Sequence, residues 1–98
     1  MSEVKLRETA EKHAAAVVAG DVDSVVSDLD SSLHEHIPAM VAAMPQNLSS
    51  AELSSLTAEA NGGTTDTRYI GSSGSIVVRA TWELRGDRYV VTAAAPVE

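Results

Sequence analysis

Apolar residues recur every three or four positions in the first half of this chain and every two in the second. Leu6, Ala10, His13, Ala14, Val17 and Val18 form one stripe, while Glu3, Lys5, Arg7, Glu8, Glu11 and Lys12 fall mostly elsewhere around the wheel. That is an amphipathic helix over residues 3–19. Gly20 stands where a residue in the left-handed region ends a helix. Asp21 then caps a short helix, 22–29, whose stripe is Val22, Val25, Val26 and Leu29. Leu33, Ile37, Met40, Val41 and Met44 fit a third helix, 33–44, capped by Ser31 or Ser32. Pro38 opposes an unbroken helix there, because proline removes a hydrogen bond and clashes with the preceding turn. Either the helix starts near Ile37 with Pro38 in its first turn, or 33–37 is extended and only 38–44 is helical. A kinked or late-starting helix is the expectation.

From Ser49 onward the period is that of strands, expected at 51–60, 64–71, 75–85 and 88–95. Asn61-Gly62-Gly63, Gly71-Ser72-Ser73-Gly74 and Gly86-Asp87 separate them. Links this short make neighbours antiparallel, so the sheet is a meander. A two-residue turn at Gly86-Asp87 sets Leu84 opposite Tyr89, Trp82 opposite Val91 and Ala80 opposite Ala93. The strand period then places Ile76, Val78, Ala80, Trp82, Leu84, Tyr89, Val91, Ala93 and Ala95 on one face, under the helices. Val77, Arg79, Thr81, Glu83, Val90, Thr92 and Ala94 occupy the other. A Ser72-Ser73 turn pairs Tyr69 with Ile76 and sets Asp66 against Arg79.

Composition narrows the interior. The 98 residues make one small domain, residues 1–98, which buries a modest share of its surface. Fifteen Ala and 12 Val dominate the apolar residues, with one Trp, two Tyr and no Phe, so the core is thin and leaves little wall for a large cavity. A second copy of the chain would offset that thinness. The formal charge of −7 disfavours nucleic acid and anionic membranes as partners, since seven cations are scattered among fourteen acids. Without cysteine there is no thiolate chemistry and no Cys-ligated metal. The first residues are charged and carry no apolar leader, and no run is long enough to span a membrane. A cytoplasmic protein is expected.

Two stretches carry a family resemblance. Val17-Val-Ala-Gly-Asp-Val-Asp-Ser-Val-Val26 resembles the junction of the first two helices in the nuclear-transport-factor-2-like superfamily. Val78-Arg-Ala-Thr-Trp-Glu-Leu-Arg-Gly-Asp-Arg-Tyr-Val-Val91 is similar to that superfamily's final hairpin. The resemblance implies an α+β cone of the cystatin-like kind, with helices on a curved antiparallel sheet and often a dimer through the outer sheet face. Relatives include ketosteroid isomerases and polyketide cyclases as well as domains that only bind. No residue here matches the isomerases' catalytic set, so no catalytic residue is carried over.

Among candidate side chains, His13 lies on the apolar side of the first helix, facing Trp82 or Tyr89. There it is either a general base in a pocket or a half-buried histidine satisfied at the seam. Tyr69, Trp82 and Tyr89 either line a small apolar pocket with His13 or simply constitute the core. On a helix His34 and His36 point to nearly opposite sides, and in an extended segment they share a face but have no fixed third ligand, so no metal and no cofactor is expected. Val77, Arg79, Thr81, Val90 and Thr92 make a mixed face suited to a homodimer. The sequence therefore reads as a non-catalytic, self-associating domain with at most a small apolar ligand. The competing reading is a minimal isomerase- or cyclase-like enzyme with His13 as base and Tyr69 or Tyr89 as hydrogen-bond donor.

Overall fold

The structure, a computed structural model, describes residues 2–97. Its helical half comprises α1 (Ser2–Ala19), α2 (Val22–Ser27) and a 3-10 helix (Ser31–His36) that runs into α3 (Ile37–Ala43). The strands β1 (Ser50–Glu59), β2 (Gly62–Gly71), β3 (Gly74–Arg85) and β4 (Arg88–Pro96) follow. They pair antiparallel in the order β1-β2-β3-β4, the meander that the short links dictate.

The helix ends follow from local chemistry. Gly20 adopts φ +75°, and the amides of Gly20 and Asp21 donate to the carbonyls of Val17 and Ala16. These are the two bonds of a Schellman ending. The Asp21 carboxylate accepts from the Ser24 amide and hydroxyl and so caps α2. The third helical segment is capped by Asp30, not by Ser31 or Ser32: its carboxylate accepts from the Ser32 amide and hydroxyl. Pro38 sits in the first turn of α3, so the late start is the arrangement that forms. The preceding residues 33–36 are a tighter 3-10 coil, neither extended nor part of the α-helix.

Near its turns the sheet keeps the expected register. Leu84 faces Tyr89, Trp82 faces Val91, Tyr69 faces Ile76 and Asp66 faces Arg79. Positive φ at Gly86 but not at Asp87 fits a type II′ turn. Farther along β4 the register departs from expectation. Thr81 pairs with Ala93 and Ala80 with Ala94, leaving Thr92 as a bulge. One extra residue in a period-two strand exchanges the faces of everything beyond it. Ala94 therefore packs against the core and Ala93 is exposed, the reverse of the expected assignment, although Ala95 still borders the interior space.

A second bulge, at Ser54, lies between the pairs Leu53–Thr67 and Ser55–Asp66. The Ser54 hydroxyl donates to the Asp66 carbonyl at 3.0 Å, and both Leu53 and Leu56 reach the core. The bulges thus fall on the two outer strands, where they bend and twist the sheet. Beyond β4, residues 28–30 add one parallel bridge: the Asp30 amide donates to the Val91 carbonyl and the Val91 amide to that of Asp28, both at 2.8 Å.

Gly62 and Gly63 begin β2 and do not lie in the preceding loop, which is Ala60-Asn61. At Gly63 a Cβ would stand 2.6 Å from Leu6 Cδ2 and closer still to the Thr57 carbonyl oxygen. Glycine there lets α1 approach the sheet backbone. The buried core is Leu6, Ala10, Trp82, Tyr89 and Val91, with Leu56, Ala58 and Leu84 among the partly buried residues against it. By contrast, α2, the 3-10 helix and α3 contribute no buried residue. No helix among the described residues is long and apolar enough to cross a membrane.

Candidate functional site

The inward face of β2 carries hydroxyls. Charged Asp66 and Arg68 turn away from the helices, so Thr65, Thr67 and Tyr69 turn toward them and are buried. Alongside, β3 contributes Ile76, Val78, Ala80 and Trp82, and α1 contributes Ala10, His13 and Val17. Between these elements and α3 lies a cavity of about 150 Å³. Ile37, Met40 and Met44 of the α3 segment line it on the far side.

Hydrogen bonds fasten the α3 segment at both ends. After α3, the Gln46 amide donates to Ser73 Oγ and the Gln46 carbonyl accepts from the Ser72 amide. Before it, Arg85 pairs with Asp30, and Arg88 pairs with Asp28 and donates to the Ser27 carbonyl. The serine hydrogen bonds and the Arg85 guanidinium hold the Asp30 carboxyl well below the usual range. Between these anchorages α3 spans the cavity as a strap.

His13 is the basic side chain among the described residues that border the space. Its Nδ1 lies 2.9 Å from Asp28 Oδ2, and its ring meets Trp82 edge to face, with centroids 5.6 Å apart. A carboxylate only accepts, so the shared proton sits on Nδ1 and Nε2 keeps its lone pair in the neutral ring. Nε2 makes no hydrogen bond with a described residue. Trp82 Nε1 donates to Thr65 Oγ1 at 2.9 Å, which fixes the indole plane in the floor. Burial pushes the Tyr69 phenol up to about 12, so the hydroxyl stays protonated and available as a donor.

No family model, curated protein or solved structure matches this chain. The site is defined by its geometry alone.

Of the four residues singled out from sequence, the fold brings His13, Tyr69 and Trp82 to one cavity. Tyr89 does not border it: the residue is 2% exposed and belongs to the packed cluster around Leu6 and Ala10. Pairing with Leu84, beside the turn, carries it away from the cavity end of the sheet. Asp28, Thr65 and Thr67 were not singled out from sequence. The thinness of the chain's side chains also did not preclude a cavity, because α3 stands off the sheet and fills none of it.

The outer sheet face presents the other candidate set. Arg79 and Thr81 are exposed there, and Val77, Val90 and Thr92 are half-buried. Arg79 donates twice to Asp66, at 2.8 and 3.0 Å, and its guanidinium lowers the Asp66 carboxyl below the usual range. Thr92 is the bulged residue, and its hydroxyl donates to the Thr81 carbonyl at 3.4 Å. His34 and His36 are exposed, and no group of three or more possible metal ligands gathers among the described residues.

Proposed function

We propose that this chain is a nuclear-transport-factor-2-like domain that binds a small, uncharged, largely apolar molecule beneath α3. The observation that carries this is the cavity of about 150 Å³, walled by hydrocarbon and bordered by His13, Tyr69 and Trp82. Concave apolar spaces with a few polar tips are the usual form of small-ligand sites. Trp82 is the chain's one tryptophan, so its fluorescence reports occupancy without a label. Titration with benzene is expected to change that emission saturably. Ala80→Leu, which builds into the space from its floor, is expected to abolish the change. A wild-type titration without saturation contradicts the reading.

Self-association through Val77, Arg79, Thr81, Val90 and Thr92 belongs to the same proposal, since a second copy would cover the half-buried valines. Sedimentation at micromolar concentration is expected to give a dimer that Val90→Lys dissociates; a wild-type monomer contradicts it.

A catalytic reading is favoured by one feature, the Asp28–His13 hydrogen bond. It fixes the tautomer that leaves Nε2 basic, the arrangement a general base requires. Its test is exchange of α-protons of a small cyclic ketone in deuterium oxide. His13→Gln abolishes the exchange if the dyad is the base, and an inert wild type excludes it for that substrate.

A further inference from the structure

The first strand of the sheet has an open side. β1 pairs with β2 alone, and no backbone hydrogen bond between described residues reaches its other edge. At the far end of the sheet, residues 28–30 bridge part of the β4 edge at Val91. β1 is 10 residues long and carries no Lys and no Pro, the residues that commonly blunt an edge. Its bulge at Ser54 is a blunting device too, but it stands at the middle of the strand.

About that middle, the strand reads the same in both directions. Ala51, Leu53, Leu56 and Ala58 are half-buried, whereas Ser50, Glu52, Ser54, Ser55, Thr57 and Glu59 are exposed. Set antiparallel against a second copy with Ser54 opposite Ser55, the strand brings Leu53 against Leu56 and Ala51 against Ala58. Every inward residue then faces an inward one, and bulge faces bulge. A slip of one residue turns inward side chains against outward ones, and a slip of two sets Leu53 or Leu56 against a serine of the bulge. Charge agrees with this register. Glu52 falls opposite Thr57 and Glu59 opposite Ser50, so no two glutamates stand directly across the seam.

We propose that β1 is a self-pairing edge, at which two copies join antiparallel about a two-fold axis passing between Ser54 and Ser55. The interface is isologous and closes on itself. It makes one continuous sheet from two and uses an edge that pairing through the outer face leaves free. The axis runs perpendicular to the sheet, so both α1 helices lie on one side of it. Each copy then covers the other's shallow groove, which Ala15, Val18 and Ala19 border beside Ala51 and Leu53.

The test is a register-specific cross-link in a chain that has no cysteine of its own. Glu52→Cys and Thr57→Cys, both at exposed positions, are mixed in equal amounts and oxidised at rising protein concentration. The mixed disulfide is expected to exceed either homodisulfide by about tenfold, because like positions stand about 16 Å apart along the paired strands, beyond a disulfide's reach. The same mixture carrying Val90→Lys is expected to give as much of it, which separates this edge from the outer face. In the unaltered chain, exchange of the β1 amides is expected to slow as concentration rises. Disulfides formed in random proportion, or exchange independent of concentration, overturn the proposal. Loss of the mixed disulfide with Val90→Lys assigns the contact to the outer face and overturns it as well.

Discussion

The two ends of the seam between helices and sheet are built differently. At one end α1 lies flat on the sheet, with Leu6 fully buried over Gly63 and against Tyr89, Val91 and Ala10. At the other, α3 crosses the sheet at a distance, with no buried residue of its own, and leaves a cavity above Trp82 and Tyr69. The same kind of side chains serves both ends, so composition does not explain the contrast. Backbone approach does: Gly63 admits α1 to contact distance, whereas α3 is tied only at its two flanks. The domain is therefore solid where α1 anchors it and hollow where the polar side chains gather.

The largest effect should come from the solid end. Leu6→Ala is expected to destabilise the fold by about 3–4 kcal/mol in denaturant unfolding, as removal of a fully buried leucine does. Met40→Ala, at the strap, is expected to cost less than about 1 kcal/mol, because that side chain already faces empty space. Equal costs at the two positions would erase the distinction.

Next comes the alkaline limb of stability. The folded-state value of Tyr69 is raised from 10.0 to about 12, so the unfolded chain loses the phenolic proton first. Stability is thus fully present below pH 10 and is lost as pH climbs through 12. The loss is on the order of 3 kcal/mol, from the shift and the unit conversion. Tyr69→Phe is expected to flatten that limb, and an unchanged profile would place the hydroxyl in water.

Smallest is the outer face. Asp66 and Arg79 form a well-aligned pair whose guanidinium is half exposed, and Asp66→Asn is expected to cost less than about 1 kcal/mol at neutral pH. Because the folded carboxyl is lowered, the pair's contribution is present above the ordinary value of 3.8 and fades as pH falls below it. A larger cost at neutral pH would mean that the outer face is covered by a second copy.

Much of the contrast was legible in the sequence, and the illegible part has physical causes. The turn at Gly86-Asp87 and the Ser72-Ser73 link fix register at short range, so Trp82, Leu84, Tyr69 and Asp66 fall where the period places them. Ser54 and Thr92 bulge without glycine or any other local mark, so the faces assigned to Ala93 and Ala94 were exchanged. The inward hydroxyls were recoverable: Asp66 and Arg68 must face water, which turns Thr65, Thr67 and Tyr69 inward. Asp28 carries a fainter signal, being as far beyond the Gly20–Asp21 corner as His13 is before it. The stand-off of α3 has no local signature, because it depends on how the 45–49 loop docks on the β2–β3 turn.

Crystals of the chain pressurised with xenon test the hollow end most directly, since xenon enters dry apolar cavities without demanding hydrogen bonds. One xenon site is expected beneath α3, in contact with Trp82 and Met40. Xenon absent there, or bound instead beside Leu6 and Tyr89, would contradict the account.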